Sequence, residues 1–319
     1  MPRAVVRWAQ AVVRWYNTRR DESGLSIMSL DPAVVVLVAI TLFAATVNGA
    51  LGYGFSSLTV PVAVLFYANR VLNPALVLVE LVVNTYSLFI NRGGVPRVWR
   101  RTLPILIGLV PGVLLGSFAL STLNGSSIKL ITYVVLLPLI LVQAAGLRRY
   151  IQAEKAVGLP LGAGIGVLYS VTTISGPPLA LMLNNQGFVR QDFRASLALV
   201  RIAESGLTAI TYAVLGLYTL QTGSMIAIIA PSVIVGVPLG VFLIRRMLAE
   251  TFRRMCMSFD AWVVGFGLSR TLMDLGIASD PAGYIVLALA GAIDLTLLAR
   301  FFRKQRRGEA VLQPAIAAH

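Results

Sequence analysis

The sequence predicts an all-α integral membrane protein: two inverted five-segment repeats with broken, re-entrant helices, followed by one extra C-terminal helix. Three observations carry that expectation. The 319 residues are 57% hydrophobic and only 13% charged, with a mean hydropathy of +0.81, where an average soluble domain carries roughly a quarter charged residues. Long apolar runs alternate with short basic clusters. A glycine motif also returns in the second half of the chain, in step with a second helix break.

Composition already excludes several classes. A water-soluble chain of this length could not cover itself with so few polar side chains, which removes a cytosolic enzyme and a disordered chain. The net charge of +14 suggests nucleic acid at first sight. Its basic residues, however, fall in short clusters between apolar runs, as the positive-inside rule produces at membrane edges. No nucleic-acid partner is expected; the bilayer is. Cys256 is the only cysteine and His319 the only histidine, so no disulfide, metal site or cofactor is expected. No base is available for a Ser/His or Cys/His pair inside the fold.

Residues 1–27 interleave Val5, Val6, Trp8, Val12, Val13, Trp15 and Tyr16 with Arg3, Arg7, Arg14, Arg19 and Arg20. One reading is a basic amphipathic tail lying in the interface. The other is that translation starts at Met28, just before the first span. From there, apolar runs occupy about 32–51, 54–68, 73–91, 102–121, 127–147, 159–175, 177–189, 194–217, 224–244, 255–275 and 281–300. Most reach the roughly 20 residues that cross about 30 Å of hydrocarbon. The runs at 54–68 and 177–189 are short and follow glycine- or proline-rich breaks, as half-helices or re-entrant hairpins do.

Four basic clusters orient the chain: Arg92, Arg97, Arg100 and Arg101; Arg148, Arg149 and Lys155; Arg245, Arg246, Arg253 and Arg254; and Arg300, Arg303, Lys304, Arg306 and Arg307. The loops at 122–126, 219–223 and 276–280 contain no Lys or Arg. The clusters are therefore placed in the cytoplasm, with the tail 301–319, in a multi-pass protein of the inner cell membrane. Parity holds if 159–175 and 177–189 each cross. It puts the N-terminus outside, against its five arginines, unless the first hairpin is re-entrant or translation starts at Met28. Trp99, Tyr150, Tyr218 and Tyr284 lie near span ends and read as interfacial anchors.

The repeat is legible in Gly112-Val113-Leu114-Leu115-Gly116 and Gly236-Val237-Pro238-Leu239-Gly240, an offset of 124, which also lays Gly52 on Gly176 and Lys129 on Arg253. With a three-residue shift, Leu76–Val79 lies on Leu197–Val200. Segments 32–147 and 159–275 then form two copies of a five-segment unit, and 281–300 is the extra helix. Five is odd, so the copies are inverted, an architecture of secondary transporters. Small-residue spacing also serves plain helix packing.

Each copy contains one break. In the first, Asn48, Gly52, Gly54, Ser56 and Ser57 surround a new helix start. In the second, Thr172, Thr173, Ser175 and Gly176 precede Pro177 and Pro178, which end one helix and suit the first turn of the next. Free N–H groups at a helix start and the positive end of its dipole attract anions. Tight glycine packing is the competing explanation.

The glycine-rich turn running into Val60-Pro61, the sequence Ser175-Gly176-Pro177-Pro178 and the sequence Phe193-Arg194-Ala195-Ser196 resemble the sulfite exporter TauE/SafE family. The resemblance covers roughly residues 32–300. It implies a secondary carrier of small sulfur-containing or carboxylate anions, such as sulfite or organosulfonates, without an ATPase domain; no GxxxxGK[ST] is present. The basic N-terminal tail and the double proline depart from the family's usual look.

Ionisable residues within the apolar runs are few. Glu80 and Arg201 occupy matching repeat positions, and Glu204 lies one turn beyond Arg201. Arg201, with Asn84, is a candidate for attracting the anion. Glu80, Glu204 and Asp260 are candidates for carrying a coupling proton. The alternative is a structural ion pair, with Asn84 bridging helices. Asp274 and Arg270 read as an interfacial pair, and Asp294 as a helix-edge acid near the Arg300 cluster. The expected function is proton-coupled, alternating-access transport of a small anion. The alternatives are a cation or neutral-solute carrier, disfavoured by the absence of acids near the breaks, or a membrane-embedded lipid-modifying enzyme. Protons and the anion are the expected small-molecule partners, and a homodimer the expected assembly.

Overall fold

The computed structural model describes residues 31–145, 154–185, 190–243 and 249–306, and every regular element among them is helical. The readings of 1–27, Met28, Arg148, Arg149, Tyr150, Arg245, Arg246 and the tail beyond Arg306 lie outside the described residues. The chain divides into two units, Met1–Val35 and Val36–His319. In the first, Asp31 caps a helix start, its Oδ1 accepting from the Ala33 N–H at 3.0 Å, with Pro32 in the first helical position.

The helices are α1 (Pro32–Leu51), α2 (Phe55–Ala63), α3 (Asn69–Asn91), α4 (Val95–Thr122), α5 (Gly125–Ala144), α6 (Glu154–Thr172), α7 (Gly176–Asn185), α8 (Arg190–Val214), α9 (Leu220–Leu243), α10 (Ala249–Asp274) and α11 (Ile285–Arg306), with 3-10 turns at Arg92–Gly94 and Ala282–Tyr284. Among the described residues, six helical stretches are long and apolar enough to cross a bilayer: Pro32–Leu51, Asn69–Thr122, Gly125–Ala144, Gln191–Val214, Leu220–Leu243 and Ala282–Arg303. The second contains both α3 and α4. Side chains such as Val82, Phe89, Ile210 and Val214 are exposed on the outer faces, apolar surface that a bilayer would cover. The chain is a multi-pass membrane protein.

Several boundaries differ from the apolar runs. The first basic cluster is no loop. The chain passes from α3 through one 3-10 turn into α4, whose start at Val95 places Pro96 in the first turn and carries Arg97, Arg100 and Arg101 on the helix. α2 stops at Ala63 and a turn fills 64–68. α7 has ten residues, a rise of about 15 Å, so it does not cross as a single helix. α10 takes Arg253, Arg254 and Asp260 into its length.

Glycines set the closest helix contacts. A Cβ on Gly108 or Gly112 would overlap the carbonyl oxygen of Leu159 or Ala163, and one on Gly162 that of Ile105, so α4 and α6 touch backbone to backbone. α1 and α9 do the same through Gly49 against Val237 and Gly240 against Thr46. Both glycine motifs therefore serve packing, which in lipid depends on close approach rather than on water exclusion. Two apolar clusters close opposite ends of α4 and α8. One gathers Val98, Ile105, Ala195 and Leu197; the other gathers Val77, Leu120, Ala209 and Tyr212.

Candidate functional site

The site forms where the two helix breaks meet. In the first, Gly52 and Gly54 have φ of 85° and 108°, a region costly to any residue with a Cβ. Gly54 lets the chain leave α1 and start α2 after a gap of only three residues, 52–54. In the second, Thr173 takes the left-handed conformation at φ 58° between α6 and α7. The breaks touch: a Cβ on Gly176 would lie 3.2 Å from Tyr53 Cβ and 3.7 Å from Gly54 N.

Around this point α3 and α8 pack together and contribute three charges. Arg201 Nη2 donates to Glu80 Oε1 at 2.7 Å, and Arg201 Nη1 reaches Asn48 Oδ1 at 3.4 Å. Glu80 also accepts from Ser56 Oγ (2.8 Å) at the start of α2 and, on Oε2, from Tyr169 Oη (2.9 Å) of α6. Ser175 Oγ, immediately before α7, donates to Glu204 Oε1. Arg201 Nε lies 3.9 Å from that same oxygen, within ion-pair range but beyond a hydrogen bond. Glu80, Arg201 and Glu204 are all buried, Glu204 completely. Among the described residues, Arg201 Nε and Glu204 Oε2 have no hydrogen-bond partner.

Sequence reasoning placed no acids near the breaks, and the fold corrects that. Each break serine holds a glutamate that lies more than twenty residues away in sequence, a proximity only helix packing creates. Three candidate hydroxyls are spent locally. Ser57 donates to Gly54 O, Thr172 to Leu168 O and Thr173 to Thr172 O, the usual competition of short hydroxyls for nearby carbonyls. Asn84 donates to Arg201 O and Ser205 Oγ, which joins α3 to α8. Asp260 is buried on α10 with Oδ1 unpartnered, and no described hydrogen bond or ion pair links it to the Glu80–Arg201 cluster.

The expectation for Asp294 fails. It is buried, accepts from Arg254 at 2.8 Å and from Ser258 at 3.2 Å on Oδ1, and takes the Trp262 indole N–H on Oδ2 at 3.2 Å. Arg254 therefore leaves the surface cluster to neutralise an acid between α10 and α11, since a lone buried charge would be far costlier.

Four contributors were not anticipated: Tyr169, Tyr212, Asn73 and Arg70. Tyr212 Oη donates to Ser170 O, Asn73 Nδ2 donates to Val171 O at 2.6 Å, and Arg70 donates to the Leu120, Ser121 and Leu123 carbonyls. These carbonyls belong to helix ends, whose acceptors have no partner within the helix. Tyr169 carried a usable signal: a phenol three residues from a helix break, in mid-run, is too deep for an interfacial anchor.

The family model "Sulfite exporter TauE/SafE" matches residues 37–266, more than two thirds of the chain. The chain belongs to the sulfite exporter TauE/SafE family. TauE/SafE proteins are membrane transporters and not enzymes. The matched stretch includes both breaks and every member of the Glu80–Arg201–Glu204 cluster, and it ends before α11 and Asp294. No curated protein and no solved structure matches the chain.

Proposed function

We propose that this chain is a secondary active transporter that moves a small anion, sulfite or an organosulfonate, by proton-coupled alternating access. The observation that carries the reading is the buried arginine shared by two glutamates where the two half-helices meet. In this reading Glu80 and Glu204 occupy the places an anion would take, on Arg201 and on the break serines. An incoming anion displaces Glu80 from Arg201. A proton taken up at the unpartnered Glu204 Oε2 removes a negative charge the anion would otherwise meet. The donors for the anion are Arg201, Asn48, Ser56, Ser175 and the free N–H groups around Gly54 and Gly176.

Alternating access requires two halves that rock against each other, here the inverted repeats 32–147 and 159–275 with α2 and α7 as re-entrant arms. Reciprocal packing supports this. α1 lies on α9 as α6 lies on α4, α2 on α10 as α7 on α5, and α3 on α8. Each helix of one half thus meets the counterpart of its own partner. We place the protein in the inner cell membrane, as a homodimer, with its C-terminus in the cytoplasm beside Arg300 and Arg303.

Thermal unfolding of the detergent-purified protein with sulfite, sulfoacetate, taurine, sulfate, acetate or chloride tests the class. A ligand at a hundred times its dissociation constant stabilises by about 2.7 kcal/mol. A shift with one sulfur anion, absent in Arg201→Lys, is expected. A shift only with cations or neutral solutes would overturn the reading.

A further inference from the structure

The polar residues of α3 and α8 lie in two facing lines. On α3, Asn69, Asn73, Glu80 and Asn84 fall within about 60° of arc at 100° per residue. All four are buried. On α8, Arg201, Ser205, Thr208 and Tyr212 fall within a similar arc and are likewise buried. Asn84 bonds the Arg201 carbonyl near one end of the pair, while Asn73 and Tyr212 bond the adjacent carbonyls of Val171 and Ser170 toward the other, so the helices run antiparallel and the lines face each other.

The fully buried part of the seam extends from Arg201 in one direction only; in the other, the same arcs carry the half-buried Ser87, Asn91 and Arg194. Toward the start of α8 it meets Leu197, part of the apolar cluster with Val98 and Ile105. Toward the end of α8 it continues through Thr208, Asn73, Tyr212 and Asn69. Three side-chain atoms there have no hydrogen-bond partner among the described residues: Thr208 Oγ1, Asn73 Oδ1 and Asn69 Nδ2. Buried polar atoms left so cost about 1–3 kcal/mol each, so a seam built for packing alone would omit them. Thr208 is unusual in another way. Its neighbours Ser205 and Thr211 bond the carbonyl four residues back, whereas Thr208 Oγ1 makes no bond at all. Beside Asn69 stands the exposed Arg70, fixed on the last carbonyls of α4, a cation at the end of the polar line.

We propose that the α3–α8 seam from Asn69 to Arg201 is the hydrophilic passage by which solvent and the anion reach Arg201, opening at the Arg70 end. Tyr212 and Asn73 close it in this conformation by holding the carbonyls of Ser170 and Val171, the last turn before the second break. The passage rests on the carrier reading, and it adds a route, a side and a gate.

Single cysteines in a Cys256→Ala background test it in the full chain, in right-side-out and inverted vesicles, with a charged, membrane-impermeant methanethiosulfonate. Arg100→Cys marks one membrane face. Thr208→Cys and Asn69→Cys are expected to react from the opposite face about tenfold faster than Leu197→Cys does from either. Thr208→Cys is nearly isosteric, and Asn69→Cys gives an independent reading nearer the mouth. No reaction of either cysteine from that face, or reaction from the Arg100 face, overturns the passage. Sulfoacetate should slow the labelling of Thr208→Cys. If both cysteines label as expected but sulfoacetate has no effect, the passage stands and the sulfonate reading falls.

Discussion

The two helix breaks each hold a buried glutamate through a serine, with different chemistry. The first is glycine-rich, and α2 begins with Phe55, Ser56 and Ser57, each bringing an N–H. Its glutamate, Glu80, is saturated by Ser56, Tyr169 and Arg201. The second break is Gly-Pro-Pro, and neither Pro177 nor Pro178 has an N–H to offer. Its glutamate has one firm donor, Ser175, with Arg201 Nε at 3.9 Å and Oε2 unpartnered. A saturated carboxylate holds its partner in place, whereas a half-satisfied one is free to exchange a proton or yield to a ligand. On the carrier reading the two carboxylates divide the work: Glu80 anchors Arg201 until an anion replaces it, and Glu204 is the group that exchanges the proton.

The sharpest way to break that comparison is to remove one glutamate at a time. Glu80→Ala leaves Arg201 buried without its hydrogen-bonded counter-charge and should destabilise by about 3–5 kcal/mol, read as a lower melting temperature in detergent. Glu204→Gln keeps the Ser175 contact and should cost under about 1 kcal/mol while abolishing acceleration of uptake by a pH gradient in proteoliposomes. Equal destabilisation by both would end the division of roles. Tyr169→Phe deletes one donor to Glu80 and should cost about 1–2 kcal/mol; a neutral result in the melt would mean Glu80 does not depend on it. Thr173→Gly relieves a left-handed residue but adds backbone freedom and loses a local hydrogen bond. The net change should stay within about 1 kcal/mol, and a larger loss in the same assay would give the Thr173 side chain a role the break geometry does not require.

Much of this was legible before any coordinates. Apolar runs and basic clusters marked the membrane segments. Gly52, Gly54, Gly176 and Pro177 marked the breaks, because backbone conformation and missing N–H groups are properties of the residue itself. The matched positions of Glu80 and Arg201 pointed to a pair, and Arg201 does bind Glu80. Asp294 was misjudged because its partner, Arg254, lies forty residues earlier on a helix whose facing side no periodicity reveals. That Ser57, Thr172 and Thr173 donate to nearby carbonyls was not legible, because which hydroxyls are consumed locally depends on the final backbone path.

The sequence alone determined a multi-pass helical membrane protein, two interrupted helices and a short inventory of buried charge, since hydropathy, proline and glycine act over one or two turns. Only the tertiary structure decided that Ser56 and Ser175 hold glutamates, that Tyr169 completes Glu80, and that the polar lines of α3 and α8 face each other. Those outcomes depend on the rotation and crossing of helices distant in sequence, which close packing of glycines against carbonyls fixes and no local pattern encodes.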